Sequence, residues 1–262
     1  MKIWVNILAL LLLIASLVAG KMYWNHQAFE QSGLRPTKIE DSSYAEGQEV
    51  SWKQYAQNLP KSVTEKIEQA EKTKKPMKLV IVGSAPKEKV DKTWGALLKE
   101  SLQSTYGEDL ITTKVYEYTD MTTLEFVKDE VYKQISNEKP DVLLFEPFLL
   151  NDNGVVGINN TLENITVIMS RLKEKSSELV TILQPSAPVY KAENYPNDVK
   201  ALEEFSKENG YKYLDHWNVW PNYRSKDILT FLGKASGQPN DKGEQLWAQY
   251  LEAYFTNSPS EL

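Results

Sequence analysis

A serine hydroxyl becomes a nucleophile only with a proton acceptor beside it, and the oxyanion it generates needs an N–H donor. Groups of these types fall in a few short stretches of the sequence. Ser84 closes "MKLVIVGS" and is followed by Ala85. Asp120 stands in "EYTDMTTLEF". Glu146, Asn151 and Asp152 lie in "DVLLFEPFLLNDNG". Gln184 ends "ELVTILQ", His216 and Trp217 lie in "YKYLDHWNVWPNY", and Gln238 and Asn240 lie in "ASGQPNDKGEQLWAQYL". The catalytic candidates are Ser84 as nucleophile, Asn151 as amide donor to an oxyanion and His216 as general base. Glu146 is a second candidate base: it ends an apolar run, and burial raises a carboxyl toward a useful range. Gln238 is neutral at every pH and takes no proton, but it can hold a substrate or a water. Asp120, Glu146, Asp152, Gln184, Trp217, Gln238 and Asn240 are the candidate substrate-binding residues. Each has a plainer reading. Ser84 is a turn residue, Asp120 caps the next helix, Asn151-Asp152 is a turn before Gly154, and the aromatics of "HWNVWPNY" lid the end of a sheet.

The elements that must position these groups alternate along the chain. "NLPKSVTEKIEQAEKTKKP" opens a helix, with Asn58 as a possible cap, Pro60 in the first turn and Val63, Ile67 and Ala70 on one face. Strands are expected at Met77 to Ser84, Ile111 to Thr119, Asp141 to Pro147, Glu178 to Pro185 and Tyr211 to Trp217. Helices are expected at Thr93 to Gly107, Thr122 to Pro140, Thr161 to Ser176, Tyr195 to Gly210 and Asp241 to Phe255. Five strands separated by helices imply a parallel sheet covered on both faces. Ligands of such sheets bind at the carboxyl ends of the strands, where the candidate residues fall.

At these strand ends the chain resembles the SGNH/GDSL hydrolases from about Met77 to Phe255. The resemblance implies a three-layer α/β/α sandwich with a five-stranded parallel sheet, acting on carboxylic esters. The family's strand-Gly-Asp-Ser block reads Gly83-Ser84-Ala85, so either Ser84 is the nucleophile after a shortened turn or Ala85 stands in its place. The second block, with a Gly for the oxyanion hole, has Asp120 nearest and no Gly. In the third, Gly-x-Asn-Asp, Asn151-Asp152 match and Leu149 replaces the Gly. In the fourth, Pro239, Asn240 and the Lys242-Gly243 helix start match, while Gln238 takes the place of the His and Ala235 that of the Asp. His216 is the candidate for a displaced base.

Length, composition and charge bound what remains. The chain has 262 residues and a net charge of −6, with no basic tract suited to nucleic acid. It has no Cys, which excludes disulfides and thiolate metal sites, and its only histidines are His26 and His216, which disfavours a histidine metal site. No motif points to a cofactor. Ile3 to Gly20 is apolar except for Asn6 and Ser16, and at 1.5 Å per residue it spans roughly 27 Å, about the thickness of a hydrocarbon core. Lys2 precedes it, so the remainder is expected outside the cytoplasm. Val18-Ala19-Gly20 also resembles a cleavage site, so the segment is read as an anchor or, if cut near Gly20, a signal.

The domains expected are an anchor or signal segment over 1–22, a polar tether over 23–57 and the hydrolase-like domain over 58–258, led by a helix over 58–75. The function expected is an extracytoplasmic hydrolase acting on acyl esters of cell-envelope glycans or lipids. The membrane is contacted through the N-terminal helix. The alternative is a non-catalytic glycan- or envelope-binding protein on the same fold.

Overall fold

Alternation along β1 (Met77–Ser84) divides the core in two. Leu79 and Ile81 pack into one buried cluster, Val80 and Val82 into the other. This is the period of two that places successive side chains on opposite faces of a sheet. The computed structural model describes residues 51–234 and 237–258. The sheet order is β2-β1-β3-β4-β5, with β2 (Ile111–Tyr118), β3 (Val142–Phe145), β4 (Val180–Leu183) and β5 (Lys212–Tyr213) all parallel to their neighbours. Helices α1 (Lys61–Thr73), α2 (Trp94–Tyr106) and α8 (Asp241–Thr256) bury their apolar faces with Leu79 and Ile81. On the other face lie α3 (Thr123–Lys128), α4 (Tyr132–Glu138), α5 (Leu149–Asp152), α6 (Ile158–Lys173) and α7 (Tyr195–Glu208). The result is the expected three-layer sandwich around a five-stranded parallel sheet.

Several boundaries differ from the expectation, each for a local reason. The domain takes in residues assigned to the tether, because Trp52 and Ala56 are buried in the same cluster as Leu59 and Val63. Asn58 does not cap α1. Its amide donates to the Ala253 carbonyl at 3.1 Å, near the end of α8. The helix expected over Thr122 to Pro140 breaks into α3 and α4 at Glu130, whose φ of 55° is left-handed. The break lets Phe126, Tyr132 and Ile135 all reach one cluster. The helix is capped by Thr122 and not by Asp120: the Thr122 side chain accepts from the Glu125 amide and Glu125 reaches back to Thr122. β5 is shorter than Tyr211 to Trp217, since Asp215 accepts from the Trp217 amide and starts a 3-10 turn at His216–Val219. The stretch Ile3 to Gly20, with most of the tether, lies outside the described residues. Among the described residues no helix is long and apolar enough to cross a membrane.

Candidate active site

The register of the central strands brings Ser84 and Glu146 together. Val82 pairs with Phe145, and the Glu146 amide donates to the Val82 carbonyl at 2.9 Å. Glu146 therefore follows β3 beside Gly83 and Ser84. A Cβ at Gly83 would lie 2.6 Å from the Trp94 ring and 3.3 Å from the Glu146 Cβ, so only glycine lets the carboxylate in so close. The Ser84 hydroxyl donates to Glu146 Oε2, and the Ser84 amide donates to the same oxygen at 2.6 Å. Ser186, from the loop after β4, donates its hydroxyl to Glu146 Oε1. Glu146 is fully buried. Burial pushes its carboxyl up, opposed by the hydroxyls of Ser186 and Ser84 and by the amides of Ser84 and Leu149.

Above this carboxylate lies a small pocket lined by Ser84, Ala85, Asn151, Ser186, Gln238, Glu244 and Trp247, among others, with about 20 Å³ of free volume. That is room for about one water or one methyl group. The Asn151 side-chain amide donates to the Met121 carbonyl at 2.9 Å. An Asn amide carries two hydrogens, and the second has no acceptor among the described residues. Gln238 closes one side, with Oε1 accepting from the Lys87 amide at 2.8 Å. It is held by a short hairpin in which Leu232 bridges Pro239. Ala235 lies outside the described residues. The Ala85 amide donates to the Tyr118 carbonyl at 3.0 Å, so the backbone amides of Ser84 and Ala85 are both engaged.

The structure brings Ser84, Glu146, Asn151 and Gln238 to one place and keeps the other candidates out of it. His216 is not the base of Ser84. Its Nε2 bonds the Pro185 carbonyl at 2.9 Å and its Nδ1 accepts from the Trp220 indole at 3.0 Å. A carbonyl only accepts and an indole N–H only donates, so this is the neutral tautomer with both nitrogens used. The ring is fully buried, stacked on Trp247 at 4.2 Å. Burial pushes its pKa down to about 3, against the opposing bond to Pro185.

Asp152 is also structural: it accepts from the Thr123 amide at 2.9 Å, from the Thr123 hydroxyl, and from the Thr161 hydroxyl at 2.6 Å. Gln184 is buried and accepts from the Trp247 indole at 2.9 Å. Asn240 caps α8, accepting from the amides of Lys242 and Gly243. Asp120 pairs with Lys87 at 2.6 Å, both side chains more than half exposed. Trp217 donates its indole N–H to the Ser186 carbonyl at 2.8 Å and packs against Tyr195 and Tyr223. Trp220 is buried, and Trp217 and Tyr223 are half-buried at the end of the sheet.

Two pocket residues that carry a hydroxyl or a carboxyl stand outside the sequence-based set. Ser186 lies in "LQPSAP", two residues beyond Gln184, in the loop that follows β4. Glu244 lies in the first turn of α8, where an acidic residue is ordinary.

Neither a protein-family model nor a curated protein matches the chain. Solved structures do match its fold. A G-D-S-L family protein from Desulfitobacterium hafniense DCB-2 superposes with a TM-score of 0.55 at 16% identity, covering 68% of this chain and 99% of that one. A carbohydrate esterase of family 3 from Talaromyces cellulolyticus gives 0.54 at 13% identity, covering 67% and 94%. A catalytic mutant of an acetylxylan esterase from Geobacillus stearothermophilus gives 0.54 at 13%, covering 68% and 94%. The fold is that of the SGNH/GDSL hydrolases. Fold alone fixes no chemistry; in this chain the group bonded to the Ser84 hydroxyl is the Glu146 carboxylate.

Proposed function

We propose that the domain cleaves or transfers a short acyl group, acetyl in size, from an ester, with Ser84 as nucleophile and Glu146 as its base. The observation that carries this reading is the Ser84 hydroxyl bonded to Glu146 at the floor of the pocket. Glu146 Oε2 takes the Oγ proton as the oxygen attacks the ester carbonyl. The unspent hydrogen of the Asn151 amide serves the oxyanion. The pocket's small volume supports an acetyl-sized group and disfavours the long chains of lipids. Acetylated glycan of the cell envelope is the substrate class that joins this pocket to the extracytoplasmic placement expected from Ile3 to Gly20.

One observation favours a second reading, a pocket that binds an acetylated ligand without turnover. Both nearby backbone amides are engaged, which leaves Asn151 as the oxyanion donor and predicts a slow enzyme. The test is hydrolysis of 4-nitrophenyl acetate and 4-nitrophenyl octanoate by the protein and by Ser84→Ala. The expected result is acetyl hydrolysis that falls at least about a hundredfold in the variant, with the octanoyl ester poor throughout. Equal rates in both proteins would leave the binding reading.

A further inference from the structure

Glu244 lines the same pocket as Ser84 and is nine-tenths or more buried, with 1% of its surface exposed. Its Oε2 accepts from the Trp94 amide at 2.6 Å, at the start of α2. Its Oε1 has no hydrogen-bond partner among the described residues. Glu244 thus lines the pocket, while Glu146 lies behind Ser84 and Ser186, and the two carboxyl groups have opposite surroundings. Glu146 has four donors converging on it, two hydroxyls and two amides; Glu244 has one amide. The charged groups facing Glu244 are all acids: Glu117 on β2, Glu146 after β3 and Asp241 on its own helix. Burial and these neighbours push its carboxyl up to about 8. Burial raises both carboxyls, but four donors oppose the rise at Glu146 and one amide does so at Glu244, and each carboxylate disfavours a charge on the other, so one proton is held at the Glu244 end of the pair.

We propose that Glu244 is the general acid of the site, protonating the oxygen of the leaving alcohol; this rests on Ser84 being the nucleophile. In acylation Ser84 Oγ bonds to the acyl carbon and gives its proton to the Glu146 carboxylate. The carbon–oxygen bond to the alcohol breaks, and the alkoxide takes the Glu244 proton. In deacylation water bonds to the acyl carbon and gives a proton to the Glu244 carboxylate. Ser84 Oγ leaves and takes the proton back from Glu146. Both glutamates return to their starting states, and the net reaction is ester plus water to acid plus alcohol. The site then needs no histidine, which accounts for Gln238 and for the inward turn of His216.

The test is Glu244→Gln, whose amide oxygen still accepts from Trp94. kcat/KM, which reports acylation, is measured with two acetyl esters: 4-nitrophenyl acetate, whose leaving group needs no proton, and an acetylated xyloside, whose alcohol does. The expected result is a loss of about a hundredfold or more on the xyloside and less than about fivefold on the nitrophenyl ester. Because one protein sample serves both substrates, the ratio is independent of the folded fraction. Equal losses on the two esters, or no loss on either, would overturn the role of Glu244. Failure of the nucleophile reading shows separately, as Ser84→Ala retaining nitrophenyl acetate hydrolysis, and overturns the proposal with it.

Discussion

His216 shows how far a residue's sequence position can mislead about its chemistry. It does follow the fifth strand, as a base at the ligand edge should. The chain, however, leaves the sheet after Tyr213 and turns at Asp215, which rotates the imidazole inward between Pro185, Trp220 and Trp247. Substituting His216→Phe keeps a ring to stack on Trp247 but leaves the Pro185 carbonyl and the Trp220 indole without partners. The expected cost is about 3 kcal/mol of stability, read from the urea midpoint. kcat/KM for 4-nitrophenyl acetate, corrected for folded enzyme, should stay within about threefold. A thousandfold loss would instead restore His216 as a base. Ser84, Glu146 and Asn151 were legible because the ends of buried strands are where an α/β sheet exposes function. Ser186 and Glu244 were not, because a serine in a Pro-rich loop and an acid in a helix's first turn are ordinary until the third dimension brings them to one pocket.

Among the elements, all five strands were placed, the first two to within a residue and the last three with an end two to four residues too long, since apolar runs between Gly and Pro admit few alternatives. What escaped was how short helices are tied together. Asp152 sits in α5, and its three bonds grip the start of α3 at Thr123 and the first turn of α6 at Thr161. From sequence it passed for half of an oxyanion-binding Asn-Asp turn. Its neighbour Asn151 depends on this clamp, because the Met121 carbonyl that orients its amide belongs to the segment entering α3. Asp152→Ala would leave the Thr123 amide without a partner in the core, the Thr161 hydroxyl with only the Gly157 carbonyl at 3.3 Å, and the Thr123 hydroxyl accepting from Asn164 with no acceptor of its own. We expect a loss of about 3 kcal/mol or more in urea unfolding, and a smaller loss for Asp152→Asn, which keeps one acceptor. The spacing Thr122-x-x-Glu125, a capping box in full view, was the signal that would have fixed the start of α3 and freed Asp120 from that role.

The whole molecule carries the cost of burying acids beneath its sheet edge, and that cost is visible in its pH dependence. Glu244, pushed up to about 8 from 4.5, takes up a proton on folding between those values. The stability it contributes is full below about 4.5 and is lost as pH rises through about 8. His216 acts in the opposite sense. Its value falls from 6.5 to about 3, so its contribution is full above about 6.5 and is lost as pH falls through about 3. Between 4.5 and 6.5 the two slopes oppose. Glu117, Glu146 and Asp152 are also raised by burial and add to the carboxyl side. Stability should therefore peak in mildly acid solution and decline toward pH 8, as followed by chemical denaturation at a series of pH values. Glu244→Gln removes one proton's worth of that slope, about 1.4 kcal/mol per pH unit. Relative to the parent, it should gain on the order of 5 kcal/mol across the interval from 4.5 to 8. Parallel curves for parent and variant would mean that Glu244 ionises as an ordinary carboxylate. The proton assigned to it at neutral pH would then have no source.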